Sequence, residues 1–231
     1  MRTIVFNILC LLIIGSLKAN VETLNVPFRI VNANDSVAIC NVFESLPNNV
    51  IDKVNWPEYP YAPTASFKIF HDGKHIFVRF EVEEEDIQAL AGADQGRTFM
   101  DPCVEFFIAF DNSGYYNFEC NCIGKILASF NIRRGVSTRS PEEILNSVQR
   151  MTTLGNETFE LRKGLCKWSV IEIIPITAFF KHDIPTLRGI TATANFYNCG
   201  LPHNHFLSWA PIDTPKPNFH TPQFFGTVTF E

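Results

Sequence analysis

Apolar and polar residues alternate with a period of two along much of the chain. Over residues 75–83, HIFVRFEVE, Ile76, Val78, Phe80 and Val82 fall on one face and His75, Phe77, Arg79, Glu81 and Glu83 on the other, which predicts a strand. It follows His71-Asp72-Gly73-Lys74, a hairpin-type turn, so residues 67–70 are expected to fold back as its partner. Similar runs occupy 103–110, 115–122, 125–132, 168–174, 190–198 and 224–230, most of them separated by Gly, Asn, Asp or Pro. Many short strands at this spacing predict an all-β chain, a two-sheet antiparallel β-sandwich that buries one face of each strand and leaves the other for solvent or ligand. Helical signal is confined to one or two short connections. Ser140-Pro141-Glu142-Glu143 before Ile144, Leu145 and Val148 reads as an N-cap, a first-position proline and a capping-box glutamate. A second turn is expected over 177–180, after Pro175. The acidic run 83–86 lacks the alternating oxygen ligands and glycine of a calcium loop and is expected to be a solvated loop at a strand end.

Composition adds limits to this picture. With 231 residues, 46% hydrophobic and 19% charged, the chain can bury one core and is expected to form one domain. A net charge of −5 with no basic block leaves out nucleic acid as a partner. The 22 Phe, against five Tyr and three Trp, suit a sheet-rich core. Arg2, an apolar stretch over 4–17 and Lys18-Ala19-Asn20 have the outline of a signal peptide cleaved after Ala19. The apolar stretch is shorter than the roughly 20 residues of a membrane span. Residues 1–19 are therefore expected to be a leader and 20–231 a soluble exported domain, periplasmic or at the cell surface, with no membrane span. Six cysteines would remain, Cys40, Cys103, Cys120, Cys122, Cys166 and Cys199, enough for three disulfides. A core of this size does not need them, and mostly free, buried thiols are expected.

No GxSxG, Walker, HExxH or dinucleotide-binding pattern is present. No CxxC pair or histidine spacing points to a metal site. His203 and His205 could share a strand face, but without a third ligand they read as hydrogen-bonded loop residues. Alternation leaves Asn117, Glu119 and Asn121 in a row opposite Phe118, Cys120 and Cys122. In the same way Glu105 stands opposite Val104 and Phe106, Arg79 opposite Val78 and Phe80, and Asn195 and Tyr197 opposite Ala194 and Phe196. Amide, carboxylate and guanidinium groups are what vicinal sugar hydroxyls require, since each hydroxyl both donates and accepts. An ordinary solvated face with cross-strand charge pairs is the other reading. Trp56 and Trp209 lie beside prolines in expected loops, where a large ring is either a plug over a sheet edge or a ligand platform; Trp168 opens a strand and is expected in the core. Paired carboxylates for glycoside hydrolysis have no fixed spacing, so an enzyme using Glu105 or Glu119 with a second carboxylate such as Glu172 stands as an alternative. A structural or interaction module of an export complex is another.

The motifs DPCVEFFI at 101–108, YYNFECNCIG at 115–124, WSVIEIIP at 168–175, NFYNCG at 195–200, PHNHFLSW at 202–209 and PNFHTPQFFGTVTF at 217–230 occur in one order. From about Trp56 to the C-terminus the chain resembles the family 9-like carbohydrate-binding modules, DOMON-like β-sandwiches common in exported proteins of gut Bacteroidetes. The resemblance implies a sandwich of the DOMON-like or jelly-roll type, carbohydrate as ligand, no catalysis, and association with glycoside hydrolases in polysaccharide utilisation. It places Glu105, Asn117, Glu119, Asn121, Asn195, Tyr197, His203, Trp209 and His220 within recurrent motifs. Arg133 and Arg134 fit the position where similar proteins carry an arginine that could grip two adjacent hydroxyls. Trp56 and Arg79 complete the expected ligand-binding set. No cofactor is expected, with a structural calcium ion left open.

Overall fold

The alternating segments form two stacked sheets. The computed structural model describes residues 21–231; the expected leader, residues 1–19 with Cys10, lies outside them. The chain runs β1 (Thr23–Val26), α1 (Ser36–Glu44), β2 (Asn49–Val50), β3 (Lys53–Val54), β4 (Thr64–His71) and β5 (His75–Ala89). It continues through β6 (Cys103–Asp111), β7 (Gly114–Asn121), β8 (Ile126–Arg133), β9 (Val136–Arg139), α2 (Glu142–Ser147) and β10 (Gln149–Thr152). The last strands are β11 (Phe159–Pro175), β12 (Thr191–Gly200), β13 (His205–Ser208) and β14 (Gly226–Phe230). The larger sheet has the order β1-β14-β12-β6-β7-β8-β9, with β13 bridging β12 and β3; the smaller has the order β10-β11-β5-β4-β2. Among the described residues all strand pairings are antiparallel except β1 with β14. The fold is an all-β sandwich, as the alternation predicts.

The expected inward face of each strand is the observed one. Ile76, Val78, Phe80 and Val82 of β5 meet Val104, Phe106 and Ile108 of β6 and Phe118 and Cys120 of β7 in one apolar layer. Phe196 stacks on Phe67 at 3.6 Å and on Phe106 at 5.0 Å between ring centroids. Each such ring contributes about 1.5–3 kcal/mol through burial, so the phenylalanine excess is a core property. Trp168 lies in this layer as expected. Trp209 lies there too, edge-on to Phe67 and Phe196. Gly226 makes room for it, since a Cβ there would fall 2.5 Å from the indole.

One end of the smaller sheet's outward face is covered by α1. Asp35 caps the helix, its Oδ1 accepting the Ala38 N–H at 3.0 Å. Ile39 and Phe43, four apart and so on one helical face, pack on Phe70, Phe77, Ile171 and Ile173. This helix has no counterpart among the sequence expectations. Three of those expectations are also corrected. Pro141, not Ser140, is the N-cap of α2, and Ser140 instead donates its N–H to Ala128. The run Glu83–Asp86 is strand rather than solvated loop, and Glu84 is buried with its Oε1 accepting the Trp168 indole N–H at 2.7 Å. Strand β11 begins nine residues before Trp168, in a stretch whose side chains are mostly exposed and which therefore has no apolar face to betray it. All six described cysteines are free thiols, four of them buried. Among the described residues no helix is long and apolar enough to cross a membrane.

Candidate functional site

The larger sheet's outward face is only half covered. Trp56 and the segments around Ile212, Phe219 and Phe225 close over Phe107, Tyr115 and Tyr197. Beside this cover, above β6 to β9, the face opens into a cleft of about 510 Å³, within the roughly 300–1,000 Å³ of small-molecule sites.

Strand register builds the floor. Glu105 stands opposite Glu119 between β6 and β7, and Glu119 opposite Leu127 on β8. One row along, Asn117 stands opposite Ser129, and Ser129 opposite Arg139 on β9; in the next, Asn131 stands opposite Ser137. Residues two apart on a strand share a face, so these rows make one polar field. Asn117 is its hub. Its Nδ2 donates to Glu119 Oε1 at 2.6 Å, and its Oδ1 accepts from Ser129 Oγ at 2.6 Å and Asn131 Nδ2 at 2.7 Å. The field is buried below the rim: Asn117, Glu119, Ser129 and Asn131 are each 5% exposed or less.

Burial sets the charge of the floor. It pushes the Glu119 carboxyl up to about 7, the Asn117 amide and the Arg139 guanidinium pulling the other way. Glu105 is driven well above the carboxylate range by burial first, then by Cys199 and the charge of Glu119. Across the opening, His220 is pulled down to about 4 by burial and then by Arg134, and its Nδ1 is 2.8 Å from Tyr115 Oη. The wall is aromatic. Phe219 stacks on Tyr197 at 4.1 Å, and Phe206 meets Tyr59 edge-on at 4.9 Å and Trp56 at 6.1 Å. Phe99, 40% exposed, stands at the rim.

Of the residues expected from the sequence, Glu105, Asn117, Glu119 and Arg134 line the cleft, as does His220 of the recurrent motifs. The others lie elsewhere. Asn121 spends its amide on Ala91 O and Asp101 and its oxygen on the Lys125 N–H. Asn195 is tied to Ala210 and the Phe196 N–H, and Tyr197 donates to Phe219 O beneath the wall. His203 pairs with Asp86 at 3.2 Å beside Tyr61. Arg133 is exposed outside the cleft. Arg79 sits on the other sheet, bound at 2.7 Å to both Glu44 and Glu81. Trp56 is 2% exposed, its indole N–H held by Thr214 O at 2.8 Å, so it backs the wall rather than forming it. Trp209 is a core residue and does not reach the cleft. Glu172 faces the inter-sheet layer and cannot share a site with Glu105 and Glu119, which point the opposite way from the larger sheet.

Ser129, Asn131 and Arg139 were missed, although Leu127, Ser129 and Asn131 alternate with Ile126, Ala128 and Phe130 as plainly as the row on β7 does. Phe99, Phe206 and Phe219 carry no local signal that separates them from core phenylalanines. At the covered edge of the floor, Cys103, Glu105 and Cys199 bring their ligand atoms within 4.8 Å of one another.

The sequence profile described as carbohydrate-binding family 9 matches residues 35–230. A solved protein of Bacteroides uniformis, provisionally described as carbohydrate-binding, is 39% identical over 91% of this chain and all of its own, with a TM-score of 0.88. A family 9 carbohydrate-binding module of Caldicellulosiruptor kristjanssonii, solved with glucose, is 13% identical over 91% of this chain and 96% of its own, with a TM-score of 0.57. The cellotriose complex of a module from that organism gives the same identity and TM-score. Among curated proteins none matches the chain.

Proposed function

The chain belongs to carbohydrate-binding family 9, and from that premise we propose that it is a non-catalytic module that takes a sugar or an oligosaccharide end in the cleft above β6 to β9. The observation that carries this reading is the polar field centred on Asn117, continuous across four strands and bounded by the rings of Phe99, Phe206 and Phe219. Sugar hydroxyls would bond Glu119, Asn131, Arg134 and Arg139, while a pyranose face would lie on the phenylalanine wall that Trp56 supports from behind. Stacking thus falls to phenylalanine instead of the tryptophans. Cleavage after Ala19 and export would place the domain beside glycoside hydrolases that act on the same polysaccharide.

The non-catalytic part rests on the carboxyls. Acid–base pairs in glycoside hydrolysis have environments that push their pKa values apart, whereas Glu105 and Glu119 are both pushed up. Calorimetry against a glycan panel that includes glucose and cellotriose tests the reading. Wild type should bind at least one member, and Phe206→Ala should weaken it roughly tenfold or more, the effect of losing one stacking ring. Equal binding by the variant would remove the wall from the site. Reducing-sugar release by wild type that Glu119→Gln abolishes would replace binding with catalysis.

A further inference from the structure

We propose that Cys103, Glu105 and Cys199 form a binding site for one soft divalent cation of the zinc class, set into the edge of the cleft floor. The ladder between β6 and β12 assembles it. Cys199 stands directly opposite Cys103, and Glu105 is two residues further along β6, on the same face. Two sulfurs and a carboxylate oxygen therefore converge from a pair of hydrogen-bonded strands, although Cys199 is 94 residues from Glu105 in sequence.

Distance and chemistry both suit zinc. The three donor atoms lie within 4.8 Å of one another, and Cys199 Sγ is 3.2 Å from Glu105 Oε1. Bond lengths of about 2.3 Å to sulfur and about 2.0 Å to oxygen give tetrahedral edges of roughly 3.5–3.8 Å, so side-chain adjustments of about 1 Å complete the geometry. Thiolates select zinc and other soft ions, whereas calcium takes six to eight oxygens. All three residues are nearly closed to solvent, which is unlike a chance surface cluster. The backbone beneath is fixed as well: Asn198 Nδ2 donates to Cys103 O at 3.1 Å, and Asn198 Oδ1 is 3.0 Å from His205 Nε2. Glu105 and Cys199 line the cleft while Cys103 lies behind them. A fourth position would thus open towards the cleft, available to water or to a ligand hydroxyl, the three-ligand form in which zinc keeps an exchangeable site.

The proposal needs no sugar to bind and is tested apart from it. The reduced full-length chain is titrated with Co²⁺ as a spectroscopic probe. One cobalt per chain should bind, with a thiolate-to-cobalt charge-transfer band in the near ultraviolet that added Zn²⁺ abolishes. Cys103→Ser and Cys199→Ser should each weaken uptake by more than about 100-fold, while Cys166→Ser leaves it unchanged. Glu105→Gln retains both thiols, so it should keep the band and bind more weakly; it serves if a serine variant fails to fold, as near-ultraviolet circular dichroism would reveal. No band in the reduced wild type, a band that survives both serine variants, or purified protein in which Cys103 and Cys199 are joined as a disulfide and no metal is taken up would overturn the proposal.

Discussion

The two sheets have similar alternating strands and each is covered over part of its outward face, yet what the covers leave open differs: exposed side chains such as Lys167 on the smaller sheet, a buried polar field on the larger. On the smaller sheet, Phe70, Phe77, Ile171 and Ile173 point outward and α1 covers them with Ile39 and Phe43. Of the outward charges, Arg79 is bound by Glu44 and Glu81 and Lys68 donates to Phe43 O beneath the helix, while Glu83 and Lys167 pair in the open beyond its reach. On the larger sheet the outward residues change character along the sheet, from Phe107, Tyr115 and Tyr197 under the C-terminal cover to Glu119, Asn117, Ser129 and Asn131 in the open. An apolar outward face obtains a lid because burial gives back about 25 cal/mol per Å². A polar face covered without partners would instead lose hydrogen bonds to water. The lesson is that outward polarity alone does not mark a site; polarity buried below an open rim and joined in one hydrogen-bond network does.

The strongest test of this division cuts at the end covered by α1. Phe43→Ala empties a fully buried position under α1 and should cost about 3–5 kcal/mol of stability, read as a lower midpoint in urea unfolding. Sugar affinity of the folded fraction should not change. If it falls with stability, the two faces are coupled and the division fails.

A second contrast sets a carboxyl with a partner on the cleft floor against one without in the inner layer. Glu119 is answered by Asn117, but Glu172 is wholly buried and neither oxygen has a hydrogen-bond partner. Burial pushes Glu172 up to about 8 from the usual 4.5. The folded state thus holds a proton that the unfolded chain gives up, so stability is full below about pH 4.5 and declines as pH rises through about 8. Glu172→Met should be close to neutral at pH 5 and stabilising by about 2–4 kcal/mol at pH 8.5, measured by denaturation at both values. An equal effect at both would show that Glu172 is not neutral in the folded state.

Much of the sandwich was legible from period two alone, because the pleat sends each alternate side chain to the same face. The hairpin at Asp72-Gly73, the polar row on β7 and the inward Cys120 and Cys122 all follow from that rule. What alternation lacks is the third dimension. Arg79 and Glu105 look alike in sequence, each a charge opposite apolar neighbours, and only the placement of α1 over one and a cleft over the other separates them. Trp209 looked like a loop platform because a proline lies close by, yet its ring passes between the sheets over Gly226. The Cys103, Glu105 and Cys199 cluster was invisible for the same reason, since its donors meet across a ladder and not along a spacing.

At the open face the expected effects are on binding and not on folding. Arg139 is exposed at the rim, and its Nη1 bonds Gln95 O and Oε1 at 2.8 and 2.9 Å, which holds the guanidinium over the cleft. Arg139→Ala should weaken sugar binding by roughly five- to tenfold, the worth of a charged hydrogen bond, with an unfolding midpoint close to wild type. A variant that binds as wild type does would move the ligand away from β9, towards Phe206 and His220.

The smallest expected effect discriminates most sharply between sequence and structure. Arg79 belongs to the same alternating pattern as Glu105 and Glu119, and on that pattern alone its removal should harm binding. In the fold it stands on the other sheet's outward face beneath the edge of α1, with its guanidinium 5.6 Å from the Phe43 ring centre and bonded to Glu44 and Glu81. Two sheets and the whole inner layer separate it from the cleft. Arg79→Ala should therefore leave sugar affinity within about twofold of wild type, or about 0.4 kcal/mol, while the helix loses one of its anchors and thermal unfolding begins earlier. Titration of the same glycan into Arg79→Ala and Arg139→Ala side by side settles the matter. If Arg79→Ala is the more damaging of the two, the ligand lies on the smaller sheet and the open cleft is not the binding face.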